Sequence, residues 1–383
     1  MITMNDTSPR LPAEWEEQSY IQLTWPHEET DWKDILNEVE ECYYNIAREI
    51  AKRQPLIVVS PRFPEGLYDS GDHKGSPYIT GNHKGSPYIT GNRKGSPYIT
   101  GDRKGSPYRN NIYHVQCDTN DTWARDHAFI TAVSPDGAPQ LMDFQFNGWG
   151  LKFPANKDNK INFYVHESGL LKGDYVDCRD FVLEGGSIES DGKGTILTTS
   201  SCLLSDNRND TLSKDEIEER LMVYFGAKQV LWVEHSFLAG DDTDGHIDTV
   251  ARLCPGDTIL YTECTDPRDE HYAPMEEMAS QLSEFRTLDG RKFRLLPLPM
   301  PKPIYDASGQ RLPATYTNFL IMNEAVLCPT YGQPETDHIA METIGEAFPG
   351  REIVGIDCRA LIRQHGSLHC ATMQFPKQCL KNK

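Results

Sequence analysis

Apolar positions along this chain follow two alternating periods. From Asp31, "DWKDILNEVEECYYNIAREIAKRQ" sets Trp32, Ile35, Leu36, Val39, Tyr43, Ile46, Ala47 and Ile50 at helical intervals. "PLIVV" at 55–59 is then a short unbroken apolar run, which predicts a buried strand. "SKDEIEERLMVYFG" opens with a capping box, Ser213 with Glu216, and closes near Gly226, so a helix is predicted between them. "QVLWVEH" follows as a strand. "MASQLSEF", "KFRLLPLP", "NFLIMNEAVLCPTYG", "TIGEAFPG" and "REIVGID" continue the alternation, with hairpins such as "IESDGKGTILTT" between them. Strands and helices in alternation predict an α/β protein.

Residues 71–108 break this pattern. They read as nearly four copies of a decapeptide, "GDHKGSPYIT" being the first. Gly-Ser-Pro-Tyr predicts turns rather than a packed element. Residues 71–110 hold seven basic and two acidic residues, so a basic docking arm is one reading. The other is a loop enlarged by tandem duplication, which costs little because closure entropy grows slowly with length. A ten-residue unit is too short for the usual solenoid repeats. The flanking elements look like parts of one domain. Residues 1–383 are therefore predicted to form a single catalytic domain with an insertion at 71–108.

Composition narrows the function classes. The chain has 57 acidic against 38 basic residues, a formal net charge of -19. That argues against nucleic acid and against anionic membrane surfaces, both of which need basic patches. It is compatible with a small cationic substrate. No apolar window is long enough for a transmembrane helix, and "MITMNDTSPRLPAEW" lacks the pattern of a signal peptide. These features predict a cytoplasmic protein. Its ten cysteines include no CxxC pair, so zinc and redox motifs are not expected and reduced thiols are. No Gly-rich phosphate loop is present.

Four stretches carry candidate chemistry: "NDTWARDHAFIT" (120–131), "FVLEGGSIESDGKGTILTTSSCLLSDNRN" (181–209), "GDDTDGHIDTVARL" (240–253) and "RQHGSLHCATMQ" (363–374). His246 and Asp248 are two apart, and on a strand they would share one face. Singly, each stretch has an ordinary explanation. Trp-x-Arg-Asp is usually a packed tryptophan beside an ion pair, and free cysteine is among the most buried residue types.

Together, "NDTWARD", "EGGSI", "LLSDNRN", "GDDTDGHIDTVAR", "PTYG" and "HGSLHC" resemble, in order and spacing, the agmatine deiminase family. That family is similar to the secreted bacterial peptidylarginine deiminases and belongs to the guanidine-modifying superfamily. The resemblance runs from "LPAEWEEQSYIQLTWP" to the terminal cysteine stretch and omits only the decapeptide tract. It implies a pentein fold, a five-bladed α/β propeller with pseudo-fivefold symmetry and the active site on its axis. No repeat of blades is visible in the sequence.

Carried over by motif, the resemblance implies that Asp126 and Asp248 hold a guanidinium, that His246 is the general acid/base, and that Cys370 is the nucleophile. Glu184 would line the pocket or else cap a turn at Gly185-Gly186, and Trp123 would stack on the substrate chain or else simply pack. Trp25, Asp241, Asp242 and Asp244 are further candidates near the pocket mouth, where acids suit a second positive charge. Neither a cofactor nor a metal is implied. A guanidinium is planar with five N–H donors, and paired carboxylates accept them in fixed geometry. The implied reaction turns agmatine and water into N-carbamoylputrescine and ammonia, on the route to putrescine, through a covalent amidino-cysteine. The implied partners are this small guanidine and further copies of the chain in a homo-oligomer.

Three rivals stand beside this reading. Deimination of peptidyl-arginine is one, although the exported relatives carry a signal peptide and added C-terminal domains that this chain is expected to lack. A binding protein on a spent enzyme scaffold is the second. A thiol-dependent acyl hydrolase is the third, and it would not need two carboxylates. Two departures from the family pattern bear on selectivity. His127-Ala128-Phe129 replaces x-Gly-Pro, and Gln364 and His365 replace two glycines. Ala128 would be strained if that position has a positive φ.

Overall fold

The apolar runs become strands and the amphipathic stretches become the helices between them in the computed structural model, which describes residues 8–68 and 111–381. The decapeptide tract, and with it the expected insertion at 71–108, lies outside the described residues. The first predicted helix runs from Leu36 to Ala51, behind a 3-10 turn at Lys33–Ile35. It buries Val39, Cys42, Tyr43, Ile46, Ala47 and Ile50. Trp32 precedes it and is fully buried, with its indole N–H donated to Thr122 Oγ1 at 2.9 Å. The helix Lys214–Phe225 starts on the Ser213–Glu216 capping box and ends at Gly226, whose φ of 60° is one that glycine adopts without strain.

Strands β1 (Gln18–Thr24), β2 (Leu56–Ser60) and β3 (Ile112–Gln116) are parallel neighbours. Strands β4 (Ile130–Val133) and β5 (Pro139–Gln145) form a hairpin, and β6 (Asp174–Val182) returns parallel to β5 after the helix Ile161–Glu167. This unit recurs in β7 (Ile188–Ser190), β8 (Thr195–Thr199) and β9 (Gln229–Val233). It recurs in β10 (Ala251–Cys254), β11 (Thr258–Glu263) and β12 (Arg294–Pro299), with the helix Tyr272–Glu284 between the last two. It recurs again in β13 (Leu320–Ile321), β14 (Ala325–Thr330) and β15 (Glu352–Asp357), with the helix Pro334–Ala347.

The fifth unit is split in sequence. Strand β16 (Thr372–Pro376) pairs antiparallel with β1, Gln18 opposite Pro376, and the helix Leu36–Ala51 leads on to β2. The five sheets are thus one motif repeated, the five-bladed α/β propeller that the resemblance implied.

Burial falls from the first strand of a blade to its last. Every residue of β4, β7, β10 and β13 is buried, whereas β6, β12 and β15 alternate with exposed positions. A strand covered on both faces is continuously apolar or internally bonded, and one with a solvated face alternates. The loop that enters each innermost strand is therefore held by the most rigid part of its blade. Those five loops carry the site.

Candidate active site

Asp126 lies in the helical turn Ala124–His127 just before β4, and Glu184 precedes the turn Gly185–Ser187 before β7. His246 and Asp248 precede β10, Asn318 precedes β13, and Cys370 precedes β16. His246 and Asp248 are not on a strand, contrary to the spacing argument. Asp244 and Gly245 have φ of 68° and 90°, which turn the chain into the 3-10 turn Ile247–Thr249. The pair still reaches a common place, because the turn delivers both side chains inward.

The distances are short. Cys370 Sγ lies 3.3 Å from Asn318 Oδ1 and 3.8 Å from Asp248 Oδ2, and Cys370 N–H donates to the same Asn318 oxygen at 3.2 Å. His246 Nδ1 is 3.6 Å from Asp126 Oδ1, and its Nε2 is 3.5 Å from Glu184 Oε2. Asp126 is fixed on both oxygens, accepting from Gly186 N–H at 3.1 Å and from the Trp149 indole N–H at 3.0 Å. Gly186 permits this approach, since a Cβ there would stand 2.6 Å from His246 Nδ1 and 2.9 Å from Asp126 Oδ1.

Burial dominates the electrostatics. It raises the Asp126 carboxyl to about 6, against the pull of His246 and with the repulsion of Asp248 and Glu184. Burial also pushes the Cys370 thiol well above its ordinary range, and the charges of Asp248 and Asp126 push it further. His246 is moved the other way. Burial alone would lower it, but Asp126, Cys202 and Glu184 together hold it well above its usual value. Asp248 stays below the usual carboxylate range despite burial, because His369 bonds it. Burial and the surrounding charges thus favour a neutral thiol at Cys370 and a protonated imidazole at His246.

A cleft of about 370 Å³ opens beside these groups, lined by Asp31, Asp121, Trp123, Asp126, Trp149, Asp242 and Cys370 among others. Trp123 lies on its wall, packed at 5.6 Å against Trp32. Gly366 brings the backbone onto the Trp123 ring, where a Cβ would come within 2.5 Å. Burial pushes Asp242 up to about 6, with His365 opposing and Asp241 assisting. Burial and Asp158 raise Asp121 well above the ordinary range.

Several candidates lie elsewhere. Glu184 points at His246 and at Arg208, whose Nε donates to it at 2.8 Å, rather than into the cleft. Trp25 packs in the core against Tyr43 and Tyr44. Asp241 bonds Thr243 and Gly245 within its own turn, and Asp244 pairs with Lys152 and Arg208. Ala128 has φ -79° and is unstrained. The second departure has a structural consequence, because His365 takes φ 65° and its Nδ1 lies 2.7 Å from Gly240 O.

The sequence reading missed Asn318, Trp149, Asp31 and Asp121 in this role. Asn318 stands just ahead of an innermost strand, as the other site residues do, but no local signal in the sequence marks that strand as innermost. Among the described residues, two groups of side chains have metal-ligand proximity, Glu184 with Cys202 and His246, and Glu14 with Glu189 and His369. In each, a guanidinium already pairs with carboxylate: Arg208 in the first and Arg252 in the second.

The model of the Porphyromonas-type peptidyl-arginine deiminase family matches residues 10–376. A crystal structure of the "Putative Arginine Deiminase from Porphyromonas gingivalis" is 44% identical, with a TM-score of 0.83 over 97% of this chain and 99% of that one. A C. jejuni agmatine deiminase with substrate bound is 36% identical, with a TM-score of 0.81 over 97% of each chain. A protein of Marinomonas sp. (strain MWYL1), named "Putative agmatine deiminase", is 29% identical over 97% of each chain.

Proposed function

The chain belongs to the Porphyromonas-type peptidyl-arginine deiminase family, and we propose that it hydrolyses the guanidinium of agmatine to N-carbamoylputrescine and ammonia. One observation carries the choice of substrate. Among the described residues, the cleft is lined by Asp31, Asp121, Asp126 and Asp242 and by no lysine or arginine. Agmatine is a dication without a carboxylate, so both of its ends meet acids. Free arginine would bring an α-carboxylate among them, and like charges at close range cost several kcal/mol.

The chemistry follows from the charges. A guanidinium between Asp126 and Asp248 cancels the excess negative charge that keeps the Cys370 thiol neutral, so binding favours the thiolate. The thiolate sulfur attacks the central carbon and forms a tetrahedral adduct. His246, which holds its proton, gives it to the departing nitrogen, and ammonia leaves. The neutral imidazole then takes a proton from water, the hydroxide attacks the amidino-thioether, and collapse expels Cys370 and leaves the urea. Glu184 and Arg208 hold His246 in place from behind.

The 44% identity to a chain named an arginine deiminase favours a second reading, in which the guanidinium belongs to arginine or to a peptide. Ammonia release should be measured with agmatine, free arginine and a short arginine peptide supplied separately. Release from agmatine alone supports the first reading, and release from either of the others replaces it. In Cys370→Ala, turnover should vanish while agmatine still binds. Near-normal turnover in that variant would overturn the mechanism.

A further inference from the structure

Asp248 stands between the site and a buried chain of charges that the proposed reaction does not use. Its Oδ2 accepts from His369 Nδ1 at 2.7 Å. His369 Nε2 donates to Glu14 Oε2 at 2.8 Å, and the same Glu14 oxygen accepts from Arg252 Nη2 at 2.6 Å. Arg252 also pairs with Glu189 and donates to the carbonyls of Thr317 and Phe319, one on each side of Asn318. Glu14, Glu189, Asp248, Arg252 and His369 are all buried. Both ring nitrogens of His369 face carboxylate oxygens, so the ring is held from two sides.

The consequence falls on Asp248. One oxygen is committed to His369, while Oδ1 is fully buried with no hydrogen-bond partner. A buried acceptor left open is costly unless something fills it. A carboxylate bonded from behind also cannot swing its open oxygen away. We propose that His369 and Glu14 are positioning residues that lock the Asp248 carboxylate, with its unpartnered Oδ1, in the orientation that receives a planar amidine-type cation. The identity of that cation as a guanidine rests on the function proposed above. Glu14 comes from the segment ahead of β1 and His369 from the residue before Cys370, so this lock also ties the nucleophile loop to the opposite end of the chain.

The test reads the grip on the cation and does not depend on agmatine. Chloroacetamidine is a planar amidinium electrophile, and chloroacetamide is its neutral counterpart. In each case the Cys370 thiolate displaces chloride and a thioether forms. The ratio of the two alkylation rates, with the modified residue located by mass spectrometry, isolates the carboxylate contribution. The ratio should fall about tenfold or more in Glu14→Gln and His369→Ala, with the amide rate within about threefold of the parent. His369→Asn places an amide N–H where Nδ1 donates, and should recover most of the ratio. An unchanged ratio in both Glu14→Gln and His369→Ala would overturn the proposal. So would an equal loss of both rates, which marks a merely structural role. If His369→Ala does not fold, the isosteric Glu14→Gln decides alone. An agmatine assay that fails while the ratio behaves as expected would reject the substrate and leave the lock standing.

Discussion

Two acidic clefts meet at the turn Ala124–His127. Asp126 lines the first, with Asp31, Asp121 and Asp242, while Arg125 lines the second, with Glu14, Glu16, Glu17 and Glu189. The second is the larger, about 610 Å³ against 370 Å³. Its acids are answered: Glu16 by Arg10, Glu17 by Lys377, Glu189 by Arg252, and Glu14 by Arg252 and His369. Among the described residues, no lysine or arginine side chain pairs with the four acids of the first. Size and acidity therefore do not distinguish a ligand site here. Unanswered charge does: of the first cleft's four acids only Asp126 has an ion-pair partner among the described residues, His246 at 3.6 Å, whereas all four of the second are paired.

The comparison breaks most visibly at Asp126. Asp126→Asn leaves shape intact and removes the charge, and should cost roughly 2–4 kcal/mol, up to about 10³-fold in kcat/KM. A steady-state assay showing a loss below about fivefold would contradict the role given to it. Trp149→Phe removes the indole N–H that Asp126 accepts. It should cost about 1.5–3 kcal/mol, seen as a drop in kcat/KM of roughly 10–100-fold.

Asp242→Asn sharpens the comparison further out. KM for agmatine should rise about tenfold, while an alkylguanidine without the tail amine should be nearly unaffected. Equal effects on both ligands would remove the tail-amine contact. The same charges predict a pH dependence. Asp126 and Asp242 have carboxyls raised to about 6, so near that pH the free protein holds protons that a bound cation expels. KM should fall as pH rises through 6. Calorimetry of the Cys370→Ala protein with agmatine, in buffers of different ionisation enthalpy, should detect proton release at pH 6 and little at pH 8. The smallest effect belongs to the second cleft. Glu17→Gln breaks an exposed pair with Lys377 and should change kcat/KM by less than about twofold and stability by at most ~1 kcal/mol.

Much of this contrast was legible in the chain. Asp126, Glu184, His246, Asp248 and Cys370 sit in stretches of distinctive spacing, and the structure brings all five into one constellation. Asn318 in "YTNFLIM" and Trp149 in "NGWG" carry no such spacing. Their place depends on which loops meet, and long-range contact is not written in local periodicity. The fivefold repeat was hidden for a related reason. The blades share pairing and direction, while their first strands range from the two residues of β13 to the five of β16. Helix 36–51 and the capped helix 214–225 were readable because caps and apolar faces are local. The strand expected at His246–Asp248 failed because left-handed Asp244 and Gly245 turn the backbone first.

The pairing of β16 with β1 has a consequence in time. Cys370 lies two residues before β16, whose neighbour in the sheet is β1, joined through the register Gln18 to Pro376. Hairpins such as β7–β8 close over a few residues, whereas this contact closes nearly the whole chain and adds its entropy cost late. Four blades can therefore assemble, with His246 and Asp248 already turned inward, before the thiol arrives. On refolding, secondary structure should precede reactivity, and a partly folded molecule would lack both the thiol and the adjacent His369 that holds Asp248.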